Sequence, residues 1–227
     1  MIRNAVASIA LTAGLAACSG GTEQSISQAG QIETLYQSLR ASLRAPEPAP
    51  TLTPQLIASL TVPTLELVLE DRDATVFLVP FSDRTDNRTG ALRTWRSADD
   101  VQFVMREGVL IATRGLGMNV GSADVSSTVA SVLSGSPRSG TKRLYLRTGD
   151  HGTDRIDLTC TMRSEGAQPV SIVGTTRTTT KLREDCTYAG GTVTNEYWVD
   201  TRGATIWQSR QWAGPDLGFV RTRLLKQ

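Results

Sequence analysis

From Thr141 onward the chain offers strand after strand. The stretches Arg143–Thr148, Asp154–Arg163, Pro169–Val173, Lys181–Ala189, Thr192–Asp200, Thr205–Trp212 and Phe219–Leu225 alternate in polarity or are rich in β-branched and aromatic residues. Gly149-Asp150-His151-Gly152, Gly190-Gly191 and Thr201-Arg202-Gly203 separate them with residues that favour tight turns. Such even spacing predicts an antiparallel meander, closed into a barrel or bent into a strongly curved sheet.

The preceding segment has the same character. Leu65, Leu67 and Leu69 alternate with Glu66, Val68 and Glu70, Thr75–Phe81 is β-branched and aromatic, and Leu92–Arg96 reads as a further strand. Asp99-Asp100 is expected to turn the chain into Val101–Met105, and Glu107-Gly108 into Val109–Thr113. Between these groups, Val125, Val129, Val132 and Leu133 sit at helical spacing, so Ser122–Leu133 is expected to be a short helix. The predicted fold is mainly β, with an N-terminal helix and this short internal one.

The N-terminus has a different chemistry. Arg3 precedes an apolar run from Ala5 to Ala17, about 13 residues, which suits a signal-peptide core and falls short of the roughly 20 a spanning helix needs. Leu15-Ala16-Ala17-Cys18 ends that run as a lipobox does. Cys18 is therefore the expected lipid-attachment residue, and Ser19 after it leans toward outer-membrane sorting. Ile26, Ala29, Ile32, Leu35, Tyr36, Leu39 and Leu43 form a helical stripe, which Ala45-Pro46-Glu47-Pro48-Ala49-Pro50 ends. Thr53-Pro54 can start a second short helix through Leu60. The expected organisation is a signal over 1–17, an anchored helix and tether over 18–61, and one β domain over 62–227.

Removing Arg3 with the signal leaves 23 basic side chains against 22 acidic ones, which gives no basic field for nucleic acid. Cys160 and Cys186 form an even pair in an exported chain and are expected to make a disulfide. Two cysteines and the single His151 do not supply a spaced metal-ligand set, so no metal is expected. Asp150-His151-Gly152-Thr153-Asp154 sets a histidine between carboxylates, but no nucleophile motif accompanies it and a solvated turn is expected. Gly115-Leu116-Gly117-Met118-Asn119-Val120-Gly121 lacks the spacing and the βαβ setting of a dinucleotide loop, so no cofactor is expected there.

Trp95, Trp198, Trp207 and Trp212 could stack on sugars. Trp207 and Trp212 differ by five, which puts them on opposite faces of one strand unless a bulge intervenes. Core anchoring is the default for most of these rings. Trp95, Trp207 and Trp212 stand as the candidate ligand or partner contacts.

Two groups of residues carry a family resemblance. Trp95-Arg96-Ser97-Ala98-Asp99 followed by Gly108-Val109-Leu110-Ile111-Ala112-Thr113-Arg114-Gly115-Leu116 resembles the central signature of the YjbF/GfcB-type lipoproteins. The tail resembles theirs as well: Tyr197-Trp198-Val199-Asp200, Gly203, Ile206-Trp207-Gln208-Ser209-Arg210-Gln211 and Pro215. The resemblance spans roughly Leu65 to Leu225, with Asp100 where the family's Asp-Gly turn has glycine. It implies an outer-membrane lipoprotein encoded with genes for exopolysaccharide or group 4 capsule production, a mainly β fold, and no catalytic residues. The expected role is that of a non-enzymatic accessory factor contacting polysaccharide-export proteins. The alternative is a module that binds glycan or lipid on the inner face of its curved sheet.

Overall fold

A computed structural model describes residues 51–117, 119–148, 152–200 and 202–227. Cys18, the helical stripe over 22–44, Asp150 and His151 lie outside the described residues. The first described element is α1, Pro54–Ser59, where Thr53 caps the helix by accepting a 3.1 Å hydrogen bond from the Leu56 N–H. Proline at the first helical position loses no hydrogen bond there.

Fourteen strands follow among the described residues. They are β1 Thr64–Leu69, β2 Ala74–Arg84, β3 Leu92–Arg96, β4 Gln102–Arg106, β5 Val109–Arg114, β6 Asn119–Asp124, β7 Gly140–Arg147, β8 Thr153–Ala167, β9 Val170–Ile172, β10 Thr175–Arg177, β11 Thr179–Tyr188, β12 Gly191–Asp200, β13 Ile206–Trp212 and β14 Phe219–Lys226. A second helix, α2 Ser126–Ser134, connects β6 to β7. A single 3₁₀ turn, Glu70–Arg72, links β1 to β2.

Twelve strands form one sheet in the order β5-β4-β3-β2-β1-β14-β13-β12-β11-β8-β7-β6, while β9 and β10 make a separate hairpin. Sheet neighbours are sequence neighbours except where β8 meets β11 across that hairpin and where β1 meets β14. The β1–β14 pairing is antiparallel and joins the two halves of the meander. The remaining edges, β5 and β6, meet at their connecting turn, where the Val120 N–H donates to Thr113 Oγ1 at 3.0 Å. The expected meander thus forms a nearly closed, barrel-like sheet.

One expected boundary shifts. The region read as a helix from Ser122 is strand through Asp124, because Asn119–Asp124 pairs with Arg143–Arg147 of β7. The helical stripe survives as Val129 and Val132 in α2 with Val125 as the residue that caps its start, and the helix ends at Gly135 with φ 63°. The Asp99-Asp100 turn also forms, with Asp100 at φ 67° in the left-handed region where glycine is the easier residue.

The interior is filled. Alternate residues are buried along β7, β8 and β12, and Leu67, Leu78, Phe103, Leu158 and Tyr197 are buried to 2% exposure or less. Each such apolar side chain contributes about 1.5–3 kcal/mol on burial. The α2 face places Val125, Val129 and Val132 against Met162, Leu182, Tyr197 and Val199. Opposite walls touch: a Cβ at Gly108 would stand 3.1 Å from the Ile206 Cβ. Residues of and around α1 dock as well, with Leu52, Ile57 and Leu60 packed against the core and Lys226 Nζ donating to the Leu60 carbonyl at 2.5 Å.

The outer face of β1, β8 and β11–β14 is charged. Glu66 pairs with Arg223, Glu70 with Arg210, Lys181 with Glu165 and Glu196, and Asp185 with Arg163 and Arg183. Those strands therefore present no apolar band to lipid. No described helix is long and apolar enough to cross a membrane.

Candidate functional site

At one end of the barrel the strand tips surround a cavity of about 430 Å³. Its floor is apolar, made by Leu65, Trp95, Met105 and Leu224 on β1, β3, β4 and β14. Its rim is polar: Asp83 and Arg93 pair at 2.7 Å, and Glu107 and Gln227 stand beside them. The Arg93 hydrogen bond holds the Asp83 carboxyl below its ordinary range, so this pair stays ionised near neutrality. The Arg93 guanidinium also lies 5.4 Å from the Trp95 ring centre. An apolar floor under a charged rim suits a small amphipathic group such as a sugar ring or the end of an acyl chain.

A second cluster lies inside the wall. Lys142 Nζ donates to Glu184 Oε2 at 2.6 Å, with their side chains only 8% and 2% exposed. Glu184 also accepts from Asn195 Nδ2 at 2.8 Å, from Tyr197 Oη at 3.3 Å and from the Thr128 hydroxyl of α2. Burial pushes the Glu184 carboxyl up, but the Lys142 ammonium and the hydrogen bonds from Lys142, Thr128 and Asn195 outweigh it and the net shift is downward. Burial and the neighbouring Glu184 charge push the Tyr197 phenol well up. Every member is answered by another member, so the cluster ties α2 to β7, β11 and β12 and leaves no group free for chemistry.

Beside it, Cys160 of β8 and Cys186 of β11 are register partners and form a disulfide. Ligand atoms of Cys160, Glu184 and Cys186 lie within 4.8 Å of one another. The sulfurs are joined to each other and Glu184 is held by Lys142, so the trio does not fit a metal ion.

The three candidate tryptophans do not come together as one platform. Trp95 is 5% exposed and forms part of the cavity floor. At Trp207 the bulge that could upset the alternation is present: Trp198 pairs with Gln208 and Val199 with Ile206, which leaves Trp207 as the extra residue. Trp207 is buried, donates from Nε1 to Asp200 Oδ2 at 3.0 Å, and is covered by Arg177 of β10, 4.0 Å from its ring centre. Trp212 is half-buried and stacks on Tyr188 with ring centres 4.9 Å apart.

The residues that carried the family resemblance turn out to touch one another. Gln211 reaches across to the β4–β5 hairpin, where its Oε1 accepts from the Leu110 N–H and its Nε2 donates to the Gly108 carbonyl, both at 2.9 Å. Ser97 accepts from the Val101 N–H at 3.0 Å and closes the β3–β4 turn with Asp99. These side chains hold turns and walls together.

Two comparisons place the chain among known proteins and a third does not. A search among curated proteins finds no match. The crystal structure of the hypothetical lipoprotein YmcC from Escherichia coli (K12) is similar with a TM-score of 0.66, covering 88% of this chain and 98% of that one. At 21% identity this likeness is one of fold. The family model described as "Group 4 capsule polysaccharide lipoprotein gfcB, YjbF" matches residues 33–225. That span takes in β1 through Leu225 of β14, and this chain belongs to the YjbF/GfcB family of group 4 capsule polysaccharide lipoproteins.

Proposed function

We propose that this lipoprotein is a non-enzymatic accessory factor in the assembly or export of a surface polysaccharide. Acyl chains on Cys18 hold it on the periplasmic side of the outer membrane, and it works by contacting proteins of the export machinery. The observation that carries this reading is the family match over residues 33–225. The lipobox ending at Cys18 supports the anchor, and Ser19 supports outward sorting. Residues 18–61 act as the anchored tether, its last part docked on the β domain of residues 62–227 through Leu52, Ile57 and Leu60, and the part before it lets the domain stand roughly 20–40 Å from the bilayer. A filled interior favours recognition through the outer surface, since inward side chains are occupied with one another.

A deletion strain tests the role directly. Surface polysaccharide yield should fall, wild type should restore it, and Cys18→Ser should not. Unchanged yield in the deletion strain would remove the reading.

The cavity at the barrel end supports a second reading, a module that binds a glycan or lipid group. Titration calorimetry with exopolysaccharide fragments separates the two, with Trp95→Ala expected to abolish any heat that the cavity generates.

A further inference from the structure

A concavity of about 710 Å³ lies on the outer wall, floored by Thr94, Gln102, Val104 and Ile111 of β3–β5. The 85–91 loop between β2 and β3 forms one side and the β6–α2 junction, with Gly121, Ser122 and Ser126, the other. The loop is held in place from below. Arg106 donates to both Asp86 oxygens at 2.6 and 2.9 Å and to the Gly90 carbonyl at 2.7 Å, and Glu107 accepts from the Ala91 N–H at 2.6 Å.

The charge of this groove is one-sided. Arg84, Arg88, Arg106 and Arg114 line it, and Asp86, already spent on Arg106, is the one acid in its lining. That leaves the groove more positive than the whole chain, whose formal net charge is +2. Among the described residues Arg84, Arg88 and Arg114 make no ion pair, and all three are exposed. Asp124, next to the lining residue Val125, is hydrogen-bonded by Ser126 at 2.7 Å and also feels the charges of Arg88 and Arg143, so Arg84 and Arg114 are the less compensated of the three. Arg84 lies in register with Leu92 and Arg106 at one end of these strands and Arg114 with Gln102 at the other, so the cations are spread along the groove and suit a polymer that carries an anionic group at intervals.

We propose that this groove binds an acidic polysaccharide, with sugar carboxylates held by Arg84, Arg88 and Arg114. The proposal rests on the polysaccharide role argued above and names its ligand class. The rest of the lining favours sugar over acidic peptide. Ser82, Asn87, Thr89, Thr94, Gln102 and Ser122 offer hydroxyls and amides that match sugar hydroxyls. Apart from the exposed Phe81, whose ring lies 4.7 Å from the Arg96 guanidinium, the apolar lining is made of partly buried side chains such as Val104, Ile111 and Ala112, which form no deep pocket for the aliphatic anchor of a peptide.

The full acylated chain in neutral detergent should bind polygalacturonate and not dextran, with affinity that falls as salt rises. Arg84→Gln/Arg88→Gln/Arg114→Gln should weaken that binding roughly tenfold or more, while removing equal charge elsewhere by Arg138→Gln/Arg155→Gln/Arg202→Gln should change it less than twofold. Equal binding of dextran overturns the proposal, and so does equal loss in both triple variants. Polyglutamate binding as tightly as polygalacturonate also overturns it and assigns the groove to an acidic protein. In the deletion strain the groove variant should fail to restore polysaccharide. Full restoration by that variant sinks the groove and leaves the accessory role standing, whereas unchanged yield on deletion itself sinks the accessory role.

Discussion

Glu66 and Arg84 stand on neighbouring strands, β1 and β2, yet belong to differently built surfaces. Around Glu66, charges meet across the strands. Glu66 lies directly opposite Arg223 in the β1–β14 register and bonds to it, and Glu196 lies opposite both Arg183 and Arg210. Lys181 stands 5.0 Å from the Trp198 ring and Arg210 3.5 Å from that of Phe219, so the cations are covered as well as paired. Around Arg84 the guanidiniums face an open groove with their one acid already committed. Paired, half-buried charges on facing strands hold the sheet together, while exposed lone charges add little to folding and remain available to a ligand.

The comparison can be broken most severely from inside. Lys142→Met leaves the Glu184 carboxyl buried without its cation, and should cost about 3–5 kcal/mol in urea unfolding, while Lys142→Met/Glu184→Leu should recover much of that. The pH dependence carries the same signature. The net shift of Glu184 is below its ordinary 4.5, so its contribution is complete above that pH and is lost as pH falls further. Unfolding curves between neutral pH and pH 3 should therefore be steeper for wild type than for Glu184→Gln.

Opening the disulfide comes next. Cys160→Ala/Cys186→Ala frees a loop whose ends are 26 residues apart, worth roughly 3 kcal/mol on the loop-entropy account, and thermal melts should show it. On the paired wall, Arg223→Gln leaves Glu66 nearly buried without its partner and should cost about 1–2 kcal/mol. On the groove wall, Arg84→Gln, Arg88→Gln and Arg114→Gln should each stay within about 0.5 kcal/mol of wild type. If the groove substitutions destabilise as much as Arg223→Gln, the two walls are not different in kind.

The strands were legible because alternation is a local signal. Leu65, Leu67 and Leu69 announce β1, and the sequence reading of Leu92–Arg96 coincides with β3. The Lys142–Glu184 cluster went unread, although a signal exists: Lys142 shares a parity with Leu144 and Leu146, Glu184 with Leu182 and Cys186, and Asn195 with Tyr197 and Val199. A charge at an inward position between apolar neighbours marks a buried pair. The expected strand beginning at Arg143 left Lys142 outside and hid that parity. The tryptophans were selected by type, and only the bulge at Trp207 and the cover supplied by Arg177 decide what its ring can touch.

By itself, the sequence determined that this chain must form a meander of short antiparallel strands, since polarity with a period of two and glycine-rich turns depend only on near neighbours. It also set the family, through residues whose order along the chain is enough. Tertiary structure alone decided that β1 closes on β14, that Gln211 bonds the hairpin carrying Gly108, and which arginines find a carboxylate. Gln211 to Gly108, Arg210 to Glu70 and Arg223 to Glu66 each join residues more than 100 positions apart, and pairing at that distance is fixed by sheet closure and register rather than by any local pattern.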